Sequence, residues 1–400
     1  MKNVLFISPT PTHPTNAGNR AHIKSLVAFF KEQNYDVHFL LLAYEDYDRK
    51  AIADFFGKNL VIVDRKCIYQ NKKTGIYILW KAARKVNTLK RKIQRFIGKI
   101  SNDQYLYNNE VDNYFSVFAG AEIRKQAKTN KYDIVVCEYA SMSKSLTYFG
   151  KEVFKILDTH DLFIDRFKIF LKSGMKPSWI SLFKDQEQKA IRRADLVLAV
   201  QENDKKKLTT LTNVDIAVYN YVPEIVMLPK RIFEKKLLYL ASGNKINIAS
   251  IYFFIEKIFP LLLDTDPDTT LIIGGEICDF LEIKNHNVVL HGKVNEVKDF
   301  YCLGDIVINP EKDGTGYKVK ALEALAHGMP LVSTSAGAAG VSEPFQNHLF
   351  IADEPEEFAL AIRNIFYDQQ ILKTTSLNAQ RWIKDYKGKI TNGLLTHILN

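Results

Sequence analysis

The chain has 400 residues, of which 46% are apolar, 25% charged and 12% aromatic, with 19 glycines and 12 prolines. It is longer than one ordinary core, since domains cluster near ~100–200 residues, and too apolar and varied for a fibrous or low-complexity protein. The formal net charge of +10 is concentrated in residues 65–99, which hold twelve Lys/Arg and no Asp or Glu, leaving the rest of the chain at −2.

Short β-branched runs are expected as strands at residues 4–8, 37–43, 60–64, 133–138, 154–158, 196–201 and 216–219. They alternate with helical patterns, the sequence form of parallel strands joined by crossover helices. The first run passes through a glycine-containing loop into a helix on which Ile23, Leu26, Val27 and Phe30 recur at helical spacing. In residues 65–99 the cations are interleaved with Trp80, Val86, Leu89, Ile93 and Phe96. That is the composition of a basic amphipathic segment lying on an anionic membrane surface; a solvated face on a core-packed helix is the plainer alternative. No nucleic acid is expected, because no binding motif accompanies the charge.

Residues 220–236 carry Pro223, Pro229 and a charge cluster without a period, the profile of an interdomain connection. The pattern then restarts, with strands expected at 237–242, 271–275, 288–292, 305–310, 330–335 and 349–352, and helices near 248–263, 317–328 and 355–367. The fold class is therefore α/β, with two doubly wound Rossmann-like domains. Their ligands are expected at the carboxyl ends of the strands, in a cleft that the domains face. Cys67, Cys137, Cys278 and Cys302 form no Cys-x-x-Cys pair, and the last three sit in apolar surroundings, which fits reduced thiols in a cytoplasm. The apolar run at 4–7 is short for a signal peptide, and no stretch approaches ~18 uncharged apolar residues, so neither secretion nor a membrane span is expected.

The densest chemistry lies between Asn309 and Gly337. Gly314 and Gly316 follow a strand and open a helix, where unpaired backbone N–H groups and the helix dipole attract an anion. Lys318 and Lys320 add cations at the first turn, an arrangement unfavourable for the dipole unless a phosphate sits there. Glu323, on the same helix, is able to accept the two hydroxyls of a ribose.

At these residues the chain resembles the GT-B glycosyltransferases, specifically the large family four of retaining, nucleotide-sugar-dependent enzymes. The shared pattern is Gly-x-Gly-x-Lys-x-Lys-x-x-Glu-Ala-x-Ala-x-Gly-x-Pro-x-Val-x-Thr, matched from Gly314 to Thr334. The resemblance implies that Glu323 grips the nucleotide ribose while Lys318 and Lys320 neutralise the donor diphosphate. Many members carry a Glu-x7-Glu pair whose first Glu contacts the donor sugar. Here that position is Thr315, with Glu311 and Asp313 nearby. The opening strand and loop, with Gly18 and Arg20, look like the family's first glycine loop, which approaches the donor phosphates or the acceptor. The segment from Asp158 through His160 and Asp161 is similar to one whose His faces the reacting sugar. Gly243 falls in the loop that starts the nucleotide-binding domain. The implied domains are 1–222, binding acceptor and joined by a C-terminal helix near 376–400 that crosses back, and 237–375, binding the nucleotide sugar.

The plainer reading of His160 is a satisfied buried histidine at a strand end, and that of Gly18 and Arg20 a tight turn and a surface cation. His286 and His291 alone come near a metal-ligand spacing, without a Cys pair or acidic cluster, and read as turn or surface histidines. Asp264, Asp266 and Asp268 give two Asp-x-Asp matches that fall in an ordinary turn. Taken together, the resemblance implies transfer of a sugar from a nucleotide-diphosphate donor to a glycan or lipid-linked acceptor in cell-envelope polysaccharide (lipopolysaccharide or capsule) synthesis. It implies retention, no metal and no cofactor, and a peripheral place at the inner face of the cytoplasmic membrane. The alternatives are a nucleotide-sugar epimerase of the same fold and a non-catalytic member that docks a partner glycosyltransferase at the membrane.

Overall fold

The computed structural model describes every residue except 1, 16, 65–85, 87–88, 90–92, 94–95, 97–105, 173–175, 178–179, 230–232, 295, 313–317, 340, 342–347 and 399–400. The chain divides into two compact units, Met1–Asn220 with Gly393–Asn400, and Tyr221–Asn392.

In the first unit seven strands, β1 (Asn3–Ser8), β2 (Asp36–Ala43), β3 (Leu60–Asp64), β4 (Ile134–Glu138), β5 (Phe154–Asp158), β6 (Leu196–Ala199) and β7 (Asp215–Val218), form one sheet in the order β3-β2-β1-β4-β5-β6-β7. Every neighbouring pair is parallel. Runs such as Val4-Leu5-Phe6-Ile7 are apolar without alternation because both faces of a parallel sheet are covered. Leu5 and Ile7 join Leu40, Leu42, Val135 and Leu157 in one core, while Phe6 packs on Phe30 and Phe39 on the other face. Phe30 comes from the helix Gly18–Glu32, whose Ile23, Leu26 and Val27 are also fully buried. The strand order reverses between β1 and β4, which makes the carboxyl ends there the expected place for a ligand.

The second unit repeats the plan. Strands β8 (Lys236–Leu240), β9 (Thr270–Gly274), β10 (Val288–Gly292), β11 (Ile306–Asn309), β12 (Leu331–Ser333) and β13 (Phe350–Ile351) are ordered β10-β9-β8-β11-β12-β13, again all parallel. Residues Lys245–Leu263 are helical throughout and, although Glu256 and Lys257 interrupt the apolar run, are long and apolar enough to cross a membrane by length and composition. The fold uses them otherwise. Ile251, Phe254, Ile258, Phe259 and Leu262 are buried in the core shared with Leu271, Ile273, Phe358 and Ile362.

The C-terminal helix Gln369–Ile398 differs from expectation. Residues 376–392, expected with the first unit, belong to the second. Ala379, Trp382 and Ile383 are buried there with Leu238, Leu325 and Met329, and Trp382 stacks on His348 and Tyr386 at 5.2 Å. Gly393–Asn400 group with the first unit, where His397 Nδ1 meets Asp215 Oδ2 at 2.5 Å. Most of the basic segment 65–99 lies outside the described residues. Val86, Leu89, Ile93 and Phe96 are described, helical and exposed by 52% or more. Trp382→Ala removes the centre of the stack and is expected to cost the second unit about 3–5 kcal/mol, read as an earlier urea transition.

Candidate functional site

Two polar clusters stand at the carboxyl ends of the two sheets, one in each unit. In the second unit, β11 ends at Asn309, whose Nδ2 donates to the Gly337 carbonyl at 2.8 Å, while Ser333 Oγ donates to the Asn309 carbonyl at 3.1 Å. Thr334 Oγ1 donates to the Glu311 carbonyl and accepts from the Gly337 N–H at 3.0 Å. A Cβ at Gly337 would lie 2.5 Å from the Asn309 carbonyl oxygen, so the chain can close this tightly only with glycine there. The knot places Glu311, itself buried, against the start of the helix Val319–Ala326.

Lys318, at the N-cap of that helix, donates from Nζ to Glu311 Oε1 at 2.6 Å. Lys320 Nζ lies 3.8 Å from Glu311 Oε2 and donates to Asn247 Oδ1 at 2.7 Å. The sequence offers both lysines as partners of a diphosphate, with Glu311 near the position of the missing first Glu. The structure adds a resident partner for them. Lys318 is buried and paired, the Glu311 carboxylate is engaged by both lysines, and the trio carries one net positive charge. Burial lowers the Lys320 ammonium to about 8, with Glu311 opposing and Lys318 reinforcing the shift. Glu323 accepts from Tyr221 Oη at 3.3 Å, and burial raises its carboxyl to about 7, with the Tyr221 bond opposing. A Cβ at Gly243 would lie 2.2 Å from the ring of the exposed Phe280. Gly314, Thr315 and Gly316 lie outside the described residues. Asp266 of the Asp-x-Asp turn is buried against Lys235 Nζ and Tyr367 Oη, both at 2.5 Å, a structural pairing.

In the first unit the last residues of β4 and β5, Glu138 and Asp158, are register partners, both fully buried. His22, on the helix after β1, meets Asp158 Oδ2 through Nε2 at 2.7 Å. His160 Nε2 lies 2.6 Å from Glu138 Oε2 and 3.7 Å from Asp158 Oδ2. Its ring stacks on Tyr139, centroids 4.0 Å apart and planes within 11°. Tyr139 and His160 both hold left-handed backbone, φ 71° and 56°, strain that persists only where surroundings over-determine it and that gathers at functional sites. Those surroundings are present. The Tyr139 N–H donates to the Asp158 carbonyl at 2.8 Å, Tyr139 Oη accepts from Asn19 Nδ2 at 3.0 Å, and Thr159 Oγ1 donates to the Leu198 carbonyl at 2.8 Å.

Burial and the neighbouring Asp158 push the Glu138 carboxyl well above the usual carboxylate range. Burial would also raise Asp158, but the His22 and His160 imidazoles beside it prevail and hold it at about 2. Burial brings His160 down to about 4. His22, Asp158 and His160 have ligand atoms within 4.8 Å of one another and are, among the described residues, the set able to hold a metal. Contacts of 2.6–2.7 Å from nitrogen to oxygen are, however, hydrogen-bond lengths, and ligands ~2.0–2.2 Å from a zinc ion stand farther apart than that.

Two further expected site residues have partners of their own. Asp161 pairs with the Arg166 guanidinium and accepts from the Leu162 N–H at 3.0 Å. Arg20 is buried, not a surface cation, and its guanidinium clamps Glu45 Oε2 at 2.7 Å and the Asp46 carbonyl at 3.0 Å, which leaves it building a loop. Gly18 opens its helix behind an extended Ala17, with no side-chain cap. Glu138, His22 and Tyr139 were missed. The available signal was an acid closing a mainly apolar strand, in Ile-Val-Val-Cys-Glu as in Phe-Lys-Ile-Leu-Asp.

Residues 234–368 match the family described as "Glycosyl transferases group 1". A curated relative from Klebsiella pneumoniae, an uncharacterized 44.6 kDa protein in the cps region, is 23% identical, with 96% of each chain covered. Among solved structures, TarM of S. aureus superposes with a TM-score of 0.67 at 12% identity, covering 99% of this chain and 98% of that one. Sucrose-phosphate synthase of Thermosynechococcus elongatus gives 0.66 at 11%, covering 100% and 99%. HepE of Anabaena, in complex with UDP and glucose, gives 0.63 at 14% over the whole of both chains. The chain has the GT-B glycosyltransferase fold.

In this GT-B chain the helix carrying Lys318, Lys320 and Glu323 falls inside the group 1 match. Because the folded pKa of Glu323 is raised, the folded state binds the extra proton between ~4.5 and about 7, and its contribution to stability falls as pH rises through that window. Glu323→Gln is therefore expected to match the wild type near pH 4.5 and to exceed it by about 1–3 kcal/mol above pH 7, in melts run at both pH values.

Proposed function

We propose that this protein is a glycosyltransferase that moves a sugar from a nucleoside-diphosphate donor to a glycan or lipid-linked acceptor in capsule or other cell-envelope polysaccharide synthesis. The observation that carries the reading is the Glu311, Lys318, Lys320 and Glu323 constellation within the group 1 match. The capsule-region relative and the UDP-bound and sugar-bound neighbours support the substrate classes.

The reaction needs a nucleoside diphosphate to leave as positive charge develops at the anomeric carbon, so charge stabilisation at the leaving phosphates is the main demand. Lys320 is the more accessible cation of the trio and takes that task, with Lys318 held behind it by Glu311. Glu323 accepts the ribose hydroxyls. His160 meets an oxygen of the reacting sugar in the first unit. The net positive charge of Lys318 and Lys320 with Glu311 does the work that a metal does in other sugar-nucleotide enzymes, and the reaction proceeds with retention and without a cofactor. The enzyme works at the inner face of the cytoplasmic membrane, where the cations of 65–99, with Leu89, Ile93 and Phe96 among them, meet anionic lipid.

A panel of UDP, GDP, CDP, CMP and dTDP in thermal melts with and without EDTA tests the donor site. One nucleotide at ~100 times its dissociation constant is expected to add ~2.7 kcal/mol, insensitive to EDTA. Silence from all five overturns the reading. Lys320→Ala is expected to weaken that nucleotide by ~1.5–3 kcal/mol. Release of sugar epimers without acceptor would instead mark an epimerase, the activity named for a Listeria monocytogenes protein of similar fold, TM-score 0.53. Reversing several cations in 65–99 is expected to reduce binding to anionic liposomes at low salt, and unchanged binding excludes the membrane surface as partner.

A further inference from the structure

Two carboxyl groups and two imidazoles are buried together at the ends of β4 and β5, and the reading above uses one of them, His160. What the other three do follows from counting protons. Two separate ion pairs in a desolvated site would cost several kcal/mol per ion, so the site is best served by one ionised carboxylate and one that keeps its proton. Asp158 is the ionised one, because it accepts from His22 Nε2 at 2.7 Å and has His160 Nε2 at 3.7 Å. Glu138 is its register partner, with Oε2 2.6 Å from His160 Nε2 and Oε1 lacking any partner.

We propose that Glu138 is a protonated positioning residue that donates from Oε2 to His160 Nε2 and thereby fixes His160 as the Nδ1–H tautomer. His160 then presents a hydrogen-bond donor, and not a base, to an oxygen of the sugar or its phosphate. Its ring cannot turn away, because Tyr139 stacks on one face at 4.0 Å and His22 lies edge-on at 4.9 Å. Nδ1 has no hydrogen-bond partner among the described residues, so its proton is left for a ligand, whereas the unpartnered Glu138 Oε1 and Asp158 Oδ1 are fully buried. Burial and the neighbouring Asp158 raise the Glu138 carboxyl, and burial lowers the His160 imidazole, in keeping with a protonated carboxyl beside a neutral ring.

The titratable and charged groups packed around the pair are Asp158 on β5, His22 on the first helix, Cys137 and Tyr139 on either side of Glu138, Tyr219 after β7, and Arg193 beyond the helix Lys184–Ile191. Among them only Asp158 competes for the Glu138 proton. Its Oδ2 is taken by His22, but its buried Oδ1 has no partner and is the rival acceptor. A proton given there leaves His160 Nε2 to carry the ring proton, the Nε2–H outcome of the test below. As pH rises through the Glu138 pKa the donor is lost, Nε2 takes the ring proton, and Nδ1 becomes an acceptor.

The assignment of His160 to the reacting sugar rests on the proposed function; its tautomer does not. The test is long-range nitrogen–proton correlation on the full chain with 15N-labelled histidine, the His160 signals assigned by their loss in His160→Gln. At pH 7 the wild type is expected to show the Nδ1–H pattern. Glu138→Gln, whose amide still donates to Nε2, is expected to keep it, whereas Glu138→Ala is expected to lose it. An Nε2–H or doubly protonated His160 in the wild type overturns the proposal, and this outcome stands even if Glu138→Ala fails to fold. In transfer assays, the alkaline fall in kcat is expected to disappear in Glu138→Gln, and its persistence also overturns the proposal. Absence of nucleotide binding with the Nδ1–H pattern intact would fault the function and leave the tautomer in place.

Discussion

The first unit is built around the side-by-side burial of Glu138 and Asp158 at the ends of neighbouring parallel strands. A parallel sheet brings the carboxyl ends of its strands to one edge, so two acids that close successive strands meet in register with little water between them. Two like charges in that position repel and are poorly solvated, and one of them has to keep a proton. The rest of the edge follows from this constraint. His22 comes from the helix after β1 to serve Asp158, His160 turns back through a left-handed residue to serve Glu138, and Tyr139 adopts the same strained backbone to lie over the imidazole.

The second unit meets the opposite problem. Two lysines at the start of one helix face a dipole of their own sign, and sequence reasoning concluded that a phosphate must answer them. The fold supplies a resident answer in Glu311, held by the Asn309, Thr334 and Gly337 knot. One carboxylate against two ammonium groups leaves the cluster stable without ligand yet still positive, which is what a reversible anion site requires. A site with no resident carboxylate would bind a diphosphate more tightly and strain more when empty.

The architecture was legible because it depends on apolar periodicity and on turn residues, both local properties of the chain. The thirteen strand positions expected from β-branched runs each lie on an observed strand, with ends shifted by two residues or fewer. The Gly-x-Gly-x-Lys-x-Lys-x-x-Glu run likewise led to Lys318, Lys320 and Glu323. What the sequence did not reveal was pairing. Lys318 with Glu311, Arg20 with Glu45 and Glu138 with His160 are 7, 25 and 22 residues apart, and each partner has ordinary alternatives nearer in the chain. The C-terminal helix was misplaced for a related reason. Its spacing marks an apolar face, but which core receives Trp382 is decided by Leu238, Leu325, Met329 and the stacked His348, residues distant in the chain and so a tertiary feature.

Under the proposed function, each cluster taken by itself answers a different physical demand of glycosyl transfer. Departure of a nucleoside diphosphate needs fixed positive charge, and the second unit holds a net cation on a helix N-terminus. Selection of the sugar needs a neutral donor whose direction is set in advance, since a mobile or charged group would bind water or phosphate as readily. A neutral imidazole with one nitrogen satisfied by a buried carboxyl and its ring clamped between two aromatic neighbours meets that need. Preorganisation is bought here with backbone strain at two residues, and that strain is tolerable because a seven-stranded parallel sheet beneath it gives the strand ends no freedom to relax.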